Sequence, residues 1–377
     1  MCIRDSAQAI RSATADSLIT RLSEASTALT ERRAEIRKAN EMEALVDALG
    51  AIPNDAPLEV RVEVWRAAAL TCHPGGLAIL AEAARSVDES AVGVVQGLAH
   101  AALTSRCGSV HAWFIAASPQ LWAAVGTDAL TLDVASRALR AAVHTAAGDA
   151  DLVDARRGAR LVAGALKSTL KKTEGPLRHV LLLALAETPA PSTRQLLKKW
   201  MASKAPNEAT MVAVLEALGS AGDADAVPLL LGQIEDTSPA VLEASLVGLF
   251  ALPSAVLGSS GRRILTLLFK AFDEEGRESA SLANNARRTG KQEARLHALK
   301  ARYPSWQTRR ILDTPPIPLP EGVTGVAGVN ALIWRILDAG PKGIQAPEPP
   351  KDARPQYLNG RPNLPGRHWS LWWKNAR

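Results

Sequence analysis

A chain of 377 residues with 47% hydrophobic but only 4% aromatic content has material for a core of Ala, Leu and Val. That composition favours helix-on-helix packing over sheets. The balance of 44 Lys+Arg against 38 Asp+Glu, net +6, excludes neither protein nor nucleic-acid partners, whereas the absence of a long uncharged apolar run excludes a membrane-spanning helix.

The chain opens with MCIRDS, which a common transposase sequencing adapter encodes when read in frame from its ATG. Residues 1–6 are therefore set outside the fold as an adapter artefact, with the natural N-terminus expected to be missing. Cys2 then drops out, leaving Cys72 and Cys107. Two cysteines give no disulfide framework and favour a reducing compartment, so a cytoplasmic location is expected while export stays open.

Asp16–Lys38 reads as one long polar helix with Leu18, Leu22, Ala25 and Leu29 on one face. Pro57–Leu70 with Leu77–Val87 forms a helix pair. Ala91–Thr104 with Val110–Ser118 forms a second, closed by Pro119 and a turn around Trp122. Leu132–Ala146 with Leu152–Lys172 is the third. Gly175-Pro176 opens a helix reaching residue 187, and Ser192–Ser203 follows.

The best-formed unit is Met211–Leu252. Val212, Leu215, Leu218 and Gly219 fall at helical spacing, as do Val227, Leu230, Leu231 and Ile234 after a turn at Gly222-Asp223. Asp236-Thr237-Ser238-Pro239 punctuates the chain again, with capping residues before a first-turn proline. Two helices of roughly 10 to 15 residues cannot bury their apolar stripes alone, so neighbouring units must stack on them. A 33-residue period supports this: Ala184-Leu185 with Leu196-Leu197 recurs as Ala217-Leu218 with Leu229-Leu230, and Ala68–Thr71 recurs as Ala101–Thr104. Such a period is the signature of an α-solenoid.

The segment ALGSAGDADAVPLLLGQIEDTSPAVLEASL resembles the HEAT repeat, in the short bacterial form also found in phycobilisome lyases. The likeness rests on its Leu-Gly…Gly-Asp turn, its Ala-Val-Pro-Leu-Leu helix start and its Asp-x-x-x-x-Val-x-x-Ala entry. One departure stands out: Leu242 occupies the place where the family has Arg after that Val, whereas Val60-Arg61 keeps the pair. The resemblance is close over about 45 residues and loose over roughly 57–275. It implies an all-α, right-handed α-α superhelix over 7–310, a fold that serves many binding roles.

Val241–Leu252 and Arg262–Phe272 read as helices around a loop, Pro253–Gly261, and the polar stretch Glu274–Tyr303 ends the regular array. Over 311–377 the composition changes. Pro315, Pro316, Pro318 and Pro320 form a linker, Val326–Asp338 is an amphipathic helix carrying Trp334, and Pro341–Pro365 is again Pro-rich. In the terminal RHWSLWWKNAR, Trp369, Trp372 and Trp373 share one helical face. This ending is similar to the Trp-x-x-Trp-Trp-x-x-Asn termini of many bacterial HEAT-repeat proteins, with Asn375 one place early. Two readings are open, an internal cap folded over the last repeats or a hook that docks another protein.

Charge is segregated: net −5 over 7–151, +8 over 152–206, −7 over 207–261, +7 over 262–310 and +3 over 311–377. Arg156, Arg160, Lys167 and Lys171 share a helix face, and Arg157, Lys172, Lys198 and Lys199 widen the patch. Such a patch fits an anionic partner. The plainer reading is a solvated face that also pairs with the adjacent acidic block. Cys72, His73, His100, Cys107 and His111 match no standard zinc spacing, so no metal is assigned. No phosphate loop, dinucleotide fingerprint or nucleophile elbow occurs, so neither cofactor nor catalytic residues are assigned.

Three functions follow. The first is a non-enzymatic scaffold or adaptor that binds a protein partner. The second is a nucleic-acid binder using blocks 152–206 and 262–310, with Trp200 and Trp306 as stacking residues. The third, a bilin-lyase-like enzyme, rests on the repeat subtype alone.

Overall fold

The computed structural model describes residues 3–31, 39–86, 92–125, 128–144, 155–203, 207–235, 238–285, 287–302, 306, 327–345, 356–357, 361–362 and 372–375. The chain divides into two compact units, Met1–Leu196 and Leu197–Arg377.

The first unit contains α1 (Ile3–Arg11), α2 (Ala15–Glu31), α3 (Ala39–Gly50), α4 (Leu58–Thr71), α5 (Pro74–Arg85), α6 (Val92–Thr104), α7 (Gly108–Val125), α8 (Ala129–His144), α9 (Ala155–Lys172) and α10 (Gly175–Glu187). They lie in two layers. The even helices pack in the order α2, α4, α6, α8, α10, and the odd ones in the order α1, α3, α5, α7, α9. Each repeat therefore contributes one helix to each layer, and the seam between the layers is the core. Leu22, Leu45, Leu80, Leu98, Leu139 and Leu166 are all fully buried. Each such leucine contributes about 1.5–3 kcal/mol of apolar burial. The α1 helix begins inside the MCIRDS stretch, and Ser6 is buried.

The expected stop at Pro119 does not occur, because α7 runs through it to Val125. A proline inside a helix leaves the carbonyl four residues earlier without its usual donor. Here that carbonyl belongs to Ile115. It accepts from Ser118 Oγ at 2.8 Å and from Thr169 Oγ1 of α9 at 3.2 Å. A neighbouring helix thus supplies what the proline removed.

A second correction concerns the cysteines. Cys72 and Cys107 form a disulfide, with their Cα atoms 5.4 Å apart. Both follow helices at equivalent places in successive repeats, so stacking the repeats brings the two turns together. The junction carries other ties. Ser105 Oγ donates to the Ala69 carbonyl at 2.9 Å, and His73 Nδ1 accepts the Gly75 N–H at 3.2 Å to cap α5. Buried His111 places Nε2 between the Ala102 and Ser105 carbonyls, at 3.2 and 3.1 Å. The premise for a reducing compartment is thereby removed.

The second unit holds α12 (Glu208–Ala221), α13 (Val227–Leu231), α14 (Pro239–Ala251), α15 (Ser254–Asn284), α16 (Gly290–Arg302) and α17 (Ala327–Asp338), while α11 (Pro191–Ser203) spans the division. Gly222 ends α12 at φ 72°, Asp223 accepts from the Ala226 N–H at 3.0 Å, and Ser238 with Pro239 starts α14. The helix after this first turn is shorter than expected: a 3₁₀ turn at Ala224–Ala226 leads into the five residues of α13. Gly219 and Gly248 let α12 and α14 touch backbone to backbone, since a Cβ at Gly248 would lie 2.7 Å from the Leu215 carbonyl.

The expected loop Pro253–Gly261 is also corrected, because α15 is continuous from Ser254. Its glycines serve packing rather than turning. A Cβ at Gly258 would lie 2.7 Å from the Ala339 carbonyl, and one at Gly261 would lie 2.8 Å from Ile336 Cγ2. The helix beyond the Pro-rich stretch thus packs back as α17 against α14 and α15. Arg335 of α17 lies over the Phe250 ring at 4.7 Å and donates to the Leu252 carbonyl at 3.2 Å. Burial lowers its pKa from the ordinary guanidinium value. The strands β1 (Gln356–Tyr357) and β2 (Arg361–Pro362) pair antiparallel.

Candidate partner-binding face

The helix α9 has no Asp or Glu anywhere in ARRGARLVAGALKSTLKK. Its inner face is set by Val162, Leu166, Thr169 and Leu170, all buried, with Thr169 bonded to α7. Helical periodicity then sends Arg157, Arg160, Lys167, Lys171 and Lys172 outward together with Leu161, and all six are exposed. At 1.5 Å per residue the cations cover about 22 Å of helix. None of them takes part in an ion pair among the described residues. The side chain of Arg156 lies outside the described residues.

Two features make this face electrostatically unfavourable on its own. Arg157 stands in the first turn, at the positive end of the helix dipole, where a cation is disfavoured. Lys167 and Lys171 form a like-charge pair at i, i+4. Lys171 and Lys172 in the last turn are favoured by the same dipole, so the arrangement as a whole adds little to stability.

Lys198 and Lys199 are exposed on α11 and likewise lack an ion-pair partner among the described residues, while Leu197 and Trp200 on the same helix are buried. The basic block 262–310 differs in that Lys270, Arg295 and Arg302 are used internally. Arg302 is 3% exposed and donates to Glu275 at 2.6 and 3.1 Å and to the Ile234 carbonyl at 2.7 Å. Arg295 donates from Nε and Nη2 to the two carboxylate oxygens of Glu278, each at 2.9 Å, and Lys270 lies 3.6 Å from Glu235. The two expected stacking residues are core residues instead. Trp200 is 6% exposed, and Trp306 is 2% exposed with its Nε1 donating to Glu275 at 3.1 Å.

At the C-terminus, Trp373 is buried and stacks on Phe269 of α15 at 5.4 Å, and Trp372 meets the same ring edge-on at 6.1 Å. Trp369 lies outside the described residues. Among the described residues no group of three or more His, Cys, Asp or Glu is arranged to hold a metal ion.

Sequence reasoning missed the cleft that Arg61 lines in the first unit and the buried guanidinium of Arg194. Arg194 donates to the Leu185 and Ala186 carbonyls at 2.8 and 2.9 Å and so caps the end of α10. The available signal was an arginine a few residues past a helix end.

A family model described as HEAT repeats matches residues 162–249. No curated protein matches the chain. Among solved structures, one titled as an engineered protein is 16% identical, covers 89% of this chain and 98% of its own, and superposes with a TM-score of 0.27, too low to carry an argument. The family match over residues 162–249 and the two-layer stacking of helices in the first unit agree on an all-α helical-repeat architecture, with HEAT repeats over the matched residues.

Proposed function

We propose that this protein is a non-enzymatic scaffold that docks an acidic segment of a partner protein along the outer face of α9. HEAT repeats typically present extended surfaces to protein partners. The observation that carries the proposal is the run of Arg157, Arg160, Lys167, Lys171 and Lys172, exposed and without ion-pair partners among the described residues. Leu161 stands among them, 41% exposed, and favours a segment that interleaves carboxylates with an apolar side chain. Nucleic acid is less well supported, since both candidate stacking tryptophans are buried and Lys270, Arg295 and Arg302 of the second basic block are paired with carboxylates.

Fluorescence anisotropy with a labelled peptide of alternating glutamate and leucine, beside labelled single- and double-stranded DNA of equal charge, tests this reading. The peptide is expected to bind more tightly than either DNA and to weaken as salt is raised. Tighter binding of DNA would overturn the assignment in favour of the nucleic-acid reading.

A further inference from the structure

A second candidate site lies in the N-terminal half of the first unit. The connection from α3 to α4 and the facing sides of α4 and α5 enclose a cleft of about 420 Å³, within the range of small-ligand pockets, roughly 300–1,000 Å³. Arg61, Val64 and Trp65 of α4 form one side, Ile79 and Glu82 of α5 the other, and Asn54 lies at the rim.

The aromatic floor is fixed from behind. Trp65 is 5% exposed, and its ring lies so close to Gly97 of α6 that a Cβ there would approach within 2.8 Å of it. The ring cannot retreat, and the Arg61 guanidinium rests over it at 5.8 Å. This contact orients the cation without neutralising it. Arg61 is half-buried, and among the described residues its Nε, shielded from solvent, has no hydrogen-bond partner and no carboxylate pairs with its guanidinium. Glu63 on the same helix turns instead toward Arg66, at 3.7 Å.

Glu82 supplies the opposite charge on the other wall. It is exposed, accepts from Asn54 Nδ2 at 3.1 Å and forms no ion pair among the described residues, even though it shares the cleft with Arg61. Two opposite charges that line one cleft without joining leave a place between them for a ligand that carries both. Guanidinium is suited to grip a planar carboxylate through two parallel N–H groups. A carboxylate such as Glu82 suits an ammonium group. Val64, Ile79 and the Trp65 ring offer an apolar surface beside the charged pair.

We propose that this cleft binds a free α-amino acid with an apolar side chain: its carboxylate on Arg61, its ammonium toward Glu82, and its side chain against Trp65. The site stands apart from the face of α9 and does not depend on the function proposed for that face.

Calorimetry and saturation-transfer NMR on the full chain test this with L-leucine, N-acetyl-L-leucine and L-leucinamide. Leucine is expected to bind at millimolar concentration or below, and each blocked analogue about 10-fold or more weaker, as follows from losing one charge-assisted contact. Arg61→Gln should abolish the preference for leucine over leucinamide, and Glu82→Gln the preference for leucine over N-acetyl-leucine. Matching which variant erases which preference separates ligand contact from general damage, and Arg61→Lys, which keeps the charge, should retain partial binding. No leucine binding at about 10 mM, a limit corresponding to negligible affinity, would overturn the proposal. Binding unchanged in Arg61→Gln would do the same.

Discussion

Arg302 and the arginines of α9 carry the same side chain to opposite ends. Arg302 is almost wholly buried, and its guanidinium joins Glu275 of α15 to the Ile234 carbonyl beyond α13, while Trp306 bonds the same carboxylate. Arg157 and Arg160 point outward with no carboxylate on their own helix and no ion-pair partner among the described residues. The first arrangement joins three segments of one unit and leaves no charge for a partner. The second leaves the charge available and even opposes the helix that bears it. A cation's place in a basic sequence block therefore does not by itself make it available to a partner.

The sharpest way to break this contrast is Arg302→Met. Removing one member of a buried, hydrogen-bonded pair strands the other, a loss of about 3–5 kcal/mol. Glu275 and the Ile234 carbonyl would both lose donors, so urea unfolding should shift strongly. A loss below about 1 kcal/mol would show that the pair is solvated and that Arg302 belongs with the surface cations.

Next in size is the covalent tie of the first unit. Cys72 and Cys107 are 35 residues apart, and cross-links of that span stabilise by about 3–4 kcal/mol on the chain-entropy account. Reduction, or Cys107→Ser, should lower stability by that order. A proteolytic digest without reductant should yield the two cysteine peptides joined. Recovering them separately would remove the disulfide from the description.

The repeats were legible in the sequence because their signals are local. Gly222 and Asp223 end one helix and start the next turn, Ser238-Pro239 starts another, and leucines at helical spacing mark the buried face. What was not legible depends on distant partners. Pro119 reads as a stop until Thr169 of another helix takes the Ile115 carbonyl. Gly258 and Gly261 read as a loop until Ala339 and Ile336 arrive against them. The cationic face of α9 follows from periodicity alone, yet whether a given arginine stays free depends on a carboxylate elsewhere in the chain. For Arg302 that carboxylate is 27 residues away, and its presence could not be read from spacing.

Replacing Arg157, Arg160, Lys167 and Lys171 together by Gln probes the opposite side of the contrast. Each change should move stability by less than about 0.5 kcal/mol, as expected for exposed sites. Removing Arg157 from the first turn and relieving the like-charge pair should favour the fold slightly, by a few tenths of a kcal/mol, partly offset by losing Lys171 near the C-terminal end. Binding of the acidic peptide should fall at least about 10-fold and lose most of its salt dependence. A variant that unfolds more readily, while still binding the peptide, would make these cations structural after all.

Asp128 tests whether exposure or partnering separates the two classes. It sits just before α8, and its carboxylate accepts the Thr131 N–H at 2.9 Å. Hydrogen bonds from Thr131, side chain first and backbone second, hold its pKa below the ordinary 3.8, against a smaller opposing effect of burial. A lowered folded pKa means that the unfolded chain takes up the proton first as pH falls. The stabilisation is therefore complete above the unfolded carboxylate range and disappears as pH drops through the folded value. Asp128→Asn should be less stable than the parent at pH 7, and the gap should close on acidification below about pH 3. The effect is the smallest of the four, because a single capping bond at the edge of the fold carries it. A gap that persists unchanged in acid would mean that Asp128 acts by shape rather than by charge. Partnering would then not be what distinguishes it from the unpaired cations of α9.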